Sequence, residues 1–143
     1  AYRRFLQMFG NVVLDIDNWK ALNERHGKPI GNEILSDMGK LLKRFARTTD
    51  CVARYAGDEF MVLLPHTDAG EAKIAAERLR AVVESHSFPR RKKLTVSLGV
   101  ATFPADASDP TSLIVRADQA LFHAKKAGRE PAARFSADTP AIN

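Results

Sequence analysis

Two carboxylates follow a glycine at the tip of a short connection, Gly57-Asp58-Glu59. The run Cys51-Val52-Ala53-Arg54-Tyr55 precedes them and Phe60-Met61-Val62-Leu63-Leu64 follows. A turn of small residues between two apolar runs predicts a hairpin. Side chains alternate across a strand, so the two acids point in different directions. Gly57 tolerates a positive φ and lets a ligand approach the backbone. Hard oxygen donors in such a place suit a divalent cation and the phosphates it would carry. The same two acids also read as an ordinary solvated turn, since turns are rich in Asp and Gly. A second acidic pair, Asp15 and Asp17, ends the apolar run Val12-Val13-Leu14, the pattern of a central strand with acids at its C-terminal end. Taken singly, Lys20, Lys125 and Arg129 are surface cations, Asp15 and Asp17 are strand-end acids, and Trp19 is core.

The elements that must position these groups follow from periodicity. Tyr2 to Gln7 has the look of a helix end. A short helix is expected over Trp19 to Arg25 with Asn18 as N-cap, broken at His26-Gly27-Lys28. Pro29 suits the first turn of the next helix, which runs to about Arg47 with Ile30, Ile34, Leu35, Met38, Leu41, Leu42 and Phe45 on one face. After the hairpin, Asp68 is the expected N-cap of a helix to about His86, with Ala75, Leu79, Val82 and Val83 inward. Leu94, Val96, Leu98 and Val100 alternate with Thr95, Ser97 and Gly99, which predicts a half-buried strand. A last helix is expected from Thr111 to Ala127, with Leu113, Ala117, Ala120, Leu121 and Ala124 inward and Gly128 as its stop. From Pro131 to Asn143 no apolar period remains, and this reads as a tail or linker after a domain over 1–130. Strand, two helices, hairpin, helix, strand, helix is the order of an α/β (α+β) protein with a mixed, mainly antiparallel central sheet flanked by helices. No glycine-rich phosphate loop or dinucleotide fingerprint is present.

Bulk properties exclude several classes. The 143 residues suit one domain with its own core. No apolar run has membrane-spanning length and no signal-peptide pattern is visible. The single Cys51 forms no internal disulfide, which suits a reducing, cytoplasmic setting, and its apolar strand predicts a small core residue. The net charge of +5 favours an anionic partner such as a nucleotide, a nucleic acid or an acidic membrane. The densest basic run, Pro89-Arg90-Arg91-Lys92-Lys93, reads as a solvated loop, and it lacks the interleaved aromatics that single-stranded nucleic acid requires.

Four stretches together resemble one family: Asp15-Ile16-Asp17-Asn18-Trp19-Lys20-Ala21-Leu22-Asn23, Arg54-Tyr55-Ala56-Gly57-Asp58-Glu59-Phe60, Leu94 to Ala101, and Ala117 to Arg129. Their order and spacing are those of the GGDEF domains, the diguanylate cyclases, over about residues 2 to 130. The resemblance implies a palm-like sheet related to the class III nucleotide cyclases. It implies that two GTP molecules condense to cyclic di-GMP with release of pyrophosphate, each GTP held by one subunit of a homodimer. Asp15, Asp58 and the Ile16 carbonyl would hold Mg²⁺, with Mn²⁺ as a substitute. Glu59 would bind a second cation or help deprotonate the attacking hydroxyl. The backbone N–H groups of Asn18 and Trp19 would meet phosphates, and Gly57 would admit the nucleotide. Lys20, Lys125 and Arg129 would neutralise the β- and γ-phosphates, and Asn23 and Asn32 would read guanine. Arg47 and Asp50, with Arg78 on the next helix, would form the inhibitory site for cyclic di-GMP. Sensor or output domains would accompany such a domain, with no nucleic acid and no membrane contact of its own.

The chain departs from the family pattern at its start, where the usual Leu-Thr-Gly-Leu is absent, and at three positions within the motifs. Ala56 replaces the first glycine of the motif. Asn32 stands where an Asp usually reads guanine and so offers one acceptor oxygen fewer, which bears on GTP affinity and on use of ATP. Glu130 stands where Asn is usual. A domain that binds GTP or cyclic di-GMP without turnover is the alternative reading.

Overall fold

The computed structural model describes residues 8–127 and 132–134. Strand β1 (Phe9–Ile16) leads into helices α1 (Trp19–His26) and α2 (Lys28–Phe45). The hairpin β2 (Cys51–Ala56) and β3 (Glu59–Pro65) follows, then α3 (Ala69–Ser85), β4 (Val96–Phe103), α4 (Pro110–Ala127) and a short β5 (Ala132–Arg134). The sheet order is β2-β3-β1-β4-β5, with every pairing antiparallel except the β4–β5 edge. The α/β sandwich with a mainly antiparallel sheet is therefore the observed architecture.

β1 sits at the centre and its side chains sort strictly by parity. Val12, Leu14 and Ile16 enter the large core with α2 and α3, built from Ile34, Met38, Leu42, Leu79 and Val83. Val13 enters the opposite core with Met61, Ala101, Leu113, Ala117 and Leu121. Full burial of one such aliphatic side chain stabilises by roughly 1.5–3 kcal/mol. α3 starts at a complete capping box: the Glu71 N–H donates to Asp68 Oδ1 at 2.8 Å and the Asp68 N–H to Glu71 Oε1 at 3.1 Å. Such a cap contributes about 1 kcal/mol. No helix among the described residues is long and apolar enough to cross a membrane.

Several expectations are corrected. β4 is buried on both faces, Ser97 and Gly99 included, because α3 covers one side and α4 the other. Cys51 is exposed, since β2 is an edge strand that α4 does not reach. Asn18 occupies the N-cap position of α1 in a left-handed conformation, φ 57°, and its side chain makes no cap hydrogen bond. α2 ends at Phe45 rather than at Arg47. The stretch read as a tail contributes β5, which adds to the sheet beside β4. The expected helix end at Tyr2 to Gln7 and the stop at Gly128 lie outside the described residues.

Candidate active site

The sheet register gathers the acids before any side chain is considered. Asp15, near the end of β1, is directly opposite Glu59 on β3 and Ser97 on β4. These positions continue the face that carries Val13 and Met61, the face covered by α4. α4 lies unusually close to it. A Cβ on Gly99 would stand 2.2 Å from the Ala117 carbonyl oxygen and 2.4 Å from the Leu121 nitrogen, so only glycine lets the helix backbone settle there. The helix thereby brings two groups, about two turns apart, to the acids: Asp118 to Glu59 and Lys125 to Asp15.

The hairpin tip supplies the third acid. Gly57 has φ 45°, and Arg54 Nε donates to its carbonyl at 2.8 Å, which closes the turn over a bulge between Arg54 and Ala56. Nothing lies within 4 Å of a Cβ built on Gly57, so this side of the turn is open, and Ala56 is exposed beside it. Asp58 lies beside Asp15, close enough for the two carboxyls to influence one another.

Burial, reinforced by crowding of like charge, sets the electrostatics. Burial, then the hydrogen bond and charge of Asp15, push Asp58 up to about 6, against the pull of its own backbone N–H and of Lys125. Burial, then the hydrogen bond and charge of Asp118, and further the charges of Asp15 and Asp58, push Glu59 up to about 8. Burial works to lower the pKa of Lys125, but the contact with Asp15 and the charges of Asp15, Asp58 and Asp17 together leave it raised. Asp15 Oδ1, Glu59 Oε1 and Asp118 Oδ1 are buried without a hydrogen-bond partner. Carboxylate oxygens left bare in this way cost free energy unless something positive meets them.

That donor set fits a hard divalent cation. Among the described residues no three acidic, His or Cys side chains converge closely enough to hold a metal alone. Mg²⁺ sites of the kind that use one or two carboxylates and leave the remaining positions to water and substrate phosphate match this arrangement. Ile16 buries its side chain, so only its backbone is available to a cation. Asp17, by contrast, is engaged: Thr95 Oγ1 donates to it at 2.6 Å and Ser97 Oγ at 2.7 Å. It pins the β1–α1 turn to β4.

Past that turn, Lys20 is exposed on α1 and Trp19 packs partly against the main core. The Asn23 side-chain oxygen lies against Gly31 of α2. Asn32 is exposed on α2 and lines a different cavity, of about 610 Å³, with Glu33, Asp37, Lys40 and Arg90. Asn23 is not part of that lining. Arg129 lies outside the described residues.

Arg47, Asp50 and Arg78 line one cavity of about 390 Å³ with Phe45, Thr67 and Glu71. Asp50, its side chain only 3% exposed, receives the Arg47 N–H at 2.8 Å, Nε at 3.0 and 3.2 Å, and Nη2 at 2.8 Å. Arg47 Nη2 also donates to the Pro65 carbonyl at 3.2 Å and to Thr67 Oγ1 at 3.0 Å. The α2–β2 turn is thus tied to the end of β3.

Reasoning from the sequence overlooked Asp118, Gly99, Gly31 and Thr67. Only Asp118 had a usable signal: it shares a helix face with Lys125.

The model of the diguanylate cyclase, GGDEF domain matches residues 2–131. Diguanylate cyclase A of Treponema denticola is 36% identical over 121 residues, covering 82% of this chain and 33% of that protein. The chain thus spans about a third of that relative's length. The active GGEEF domain of a diguanylate cyclase from Vibrio cholerae superposes with a TM-score of 0.83 at 28% identity, covering 94% of this chain and 86% of that one. The GGDEF domain of DgcB from Caulobacter crescentus, solved with c-di-GMP, gives 0.79 at 30% identity, covering 90% and 76%.

Proposed function

The chain belongs to the GGDEF family of diguanylate cyclase domains, and on that premise we propose that it condenses two GTP molecules into cyclic di-GMP and is inhibited by that product. The observation that carries this reading is the meeting of Asp15, Asp58, Glu59 and Lys125 from three separate segments, with bare carboxylate oxygens at its centre.

In this reading Asp15, Asp58 and the Ile16 backbone would hold Mg²⁺ or Mn²⁺, and Glu59 would share in a second cation. The cations supply Lewis acidity, offsetting triphosphate charge and lowering the pKa of the ribose hydroxyl. The reaction forms a bond from the 3′-oxygen to the α-phosphorus and breaks the α–β phosphoanhydride, so pyrophosphate leaves. Glu59, whose affinity for a proton is raised, would take the hydroxyl proton. Lys125 exchanges Asp15 for phosphate when GTP enters, and Lys20 and Arg129 add charge to the β- and γ-phosphates. The N–H groups of Asn18 and Trp19, at the opening of α1, meet phosphate oxygens. Asn23 and Asn32 read the base. Each subunit holds one GTP, so turnover requires two domains face to face. Cyclic di-GMP occupies the cavity of Arg47, Asp50 and Arg78, whose guanidinium groups suit phosphate. The domain serves a larger cytoplasmic signalling protein with sensor or output domains.

The test is a product assay with Mg²⁺ and GTP, with and without ATP, read by chromatography and mass spectrometry. Cyclic di-GMP that disappears in Asp58→Ala supports the reading. Ala56 and Asn32 favour a second reading, a domain that binds nucleotide without turnover. Binding of GTP or cyclic di-GMP with no product, even from a forced dimer, would select it.

A further inference from the structure

Gly31 of α2 has no room for a side chain. A Cβ built there would lie 2.3 Å from Oδ1 of Asn23 and 3.3 Å from Cζ2 of Trp19. Gly31 is buried within a helix, where glycine is disfavoured relative to alanine. Its backbone gives no reason for that cost, because only Gly27 and Gly57 have positive φ among the described glycines. The reason lies in the neighbouring helix. The atom that fills the space is the free end of a rotatable side chain, so a methyl at position 31 displaces Asn23 rather than the helix backbone.

We infer that Gly31 is a positioning residue for Asn23: the missing side chain forms the recess that holds the Asn23 amide in place and so sets the preference for guanine. The inference rests on the base-reading role of Asn23 proposed above. It differs from an ordinary packing role in what substitution does. A packing glycine, once enlarged, weakens the fold and lowers affinity for every nucleotide. A positioning glycine loses discrimination between bases while the fold holds.

The experiment uses 3′-deoxy-GTP and 3′-deoxy-ATP with Mg²⁺, which lack the attacking hydroxyl and bind without turnover. Calorimetry is run on the wild type, Gly31→Ala, Asn23→Ala and the double variant. The expected result is a loss of about tenfold in 3′-deoxy-GTP affinity in either single variant, the scale of one or two polar contacts. The double variant binds no more weakly than either single one, because Asn23 is already displaced in Gly31→Ala. The guanine-over-adenine ratio falls by the same factor, and the melting temperature of Gly31→Ala is at or above that of the wild type. The inference is overturned if Gly31→Ala binds like the wild type, if the two losses add, or if both nucleotides weaken equally with a fall in melting temperature. Wild-type affinity in Asn23→Ala overturns it as well, by removing the base reader. Failure of the cyclase reading is a separate result: guanine nucleotide binds as expected while GTP gives no product.

Discussion

The Lys125 ammonium meets the Asp15 carboxylate across 110 residues of chain, so the end of α4 is latched to the end of the central strand. A cation at this carboxylate has to share it with Lys125. Lys125→Met therefore has two effects of opposite sign. Affinity of the nucleotide-free protein for Mn²⁺, followed by electron paramagnetic resonance, rises severalfold. The KM for GTP rises about tenfold or more, because a phosphate contact is lost. Weaker Mn²⁺ binding in the variant would mean that Lys125 assembles the site rather than competing for it.

Burial and crowding of Asp58 and Glu59 make metal-free stability depend on pH. Both groups have raised pKa values in the folded protein, about 6 and about 8. Below the ordinary carboxylate range both are protonated, folded or unfolded, and nothing is lost. As pH rises, the unfolded chain ionises first, while the folded protein must ionise against burial and like charge. Stability therefore falls from about pH 4.5 to about pH 8, the window of Glu59. Thermal melts without metal will show this decline. Glu59→Gln flattens it and raises the melting temperature at pH 8, and Mg²⁺ flattens it in the wild type.

Asp50 is nearly sealed from solvent and depends on Arg47 for its hydrogen bonds. Arg47→Ala strips the guanidinium from that carboxylate and leaves only the backbone N–H of residue 47 on it, which costs about 1.5–3 kcal/mol. Adding Asp50→Ala removes the orphaned charge, so the double variant is more stable than Arg47→Ala alone. The double variant also escapes inhibition, with the half-inhibitory cyclic di-GMP concentration raised at least tenfold and turnover retained. Chemical denaturation and an inhibition curve on the same protein check both halves.

Asn32→Asp restores a second acceptor oxygen. The expected outcome is a KM for GTP lowered severalfold and less mixed product when ATP is present, read by mass spectrometry. Equal product distributions in wild type and variant would remove Asn32 from base selection.

Gly99 is a packing glycine of the severest kind, since the atoms that would meet its Cβ are backbone. Gly99→Ala must push α4 away from the sheet and withdraw Asp118 and Lys125 from the acids. A loss of about 3 kcal/mol or more of stability is expected, together with loss of turnover. Thermal melts and the product assay measure the two losses.

The helices, the hairpin and the central strand were legible because their signals are local. Asp68 caps the start of α3 as predicted, and the apolar stripe of α2 faces inward as read. The strands' surroundings were not legible. In β4, Ser97 and Gly99 mimic a solvent face, yet they are small because a helix lies on them. Cys51 sits in an apolar run but at the sheet edge, a fact of topology alone. The acids Asp15, Asp58 and Glu59 were legible as a pattern, and the sheet register brings Asp15 opposite Glu59. Asp118 was hidden because an acid in a helix ordinarily faces water. The contact of Asn23 with Gly31 depends on how α1 and α2 lie together, which no spacing along the chain encodes.

The placement of Lys125 on the last described helix sets an order of assembly during synthesis. Asp15 emerges from the ribosome long before Lys125, the residue that pairs with it. Strand β1 waits for β4 on one flank, and the acidic cluster waits longer still, for α4. A nascent chain halted after β4 therefore carries its acids without their lysine latch, and the complete charge pattern belongs only to a chain that has released α4.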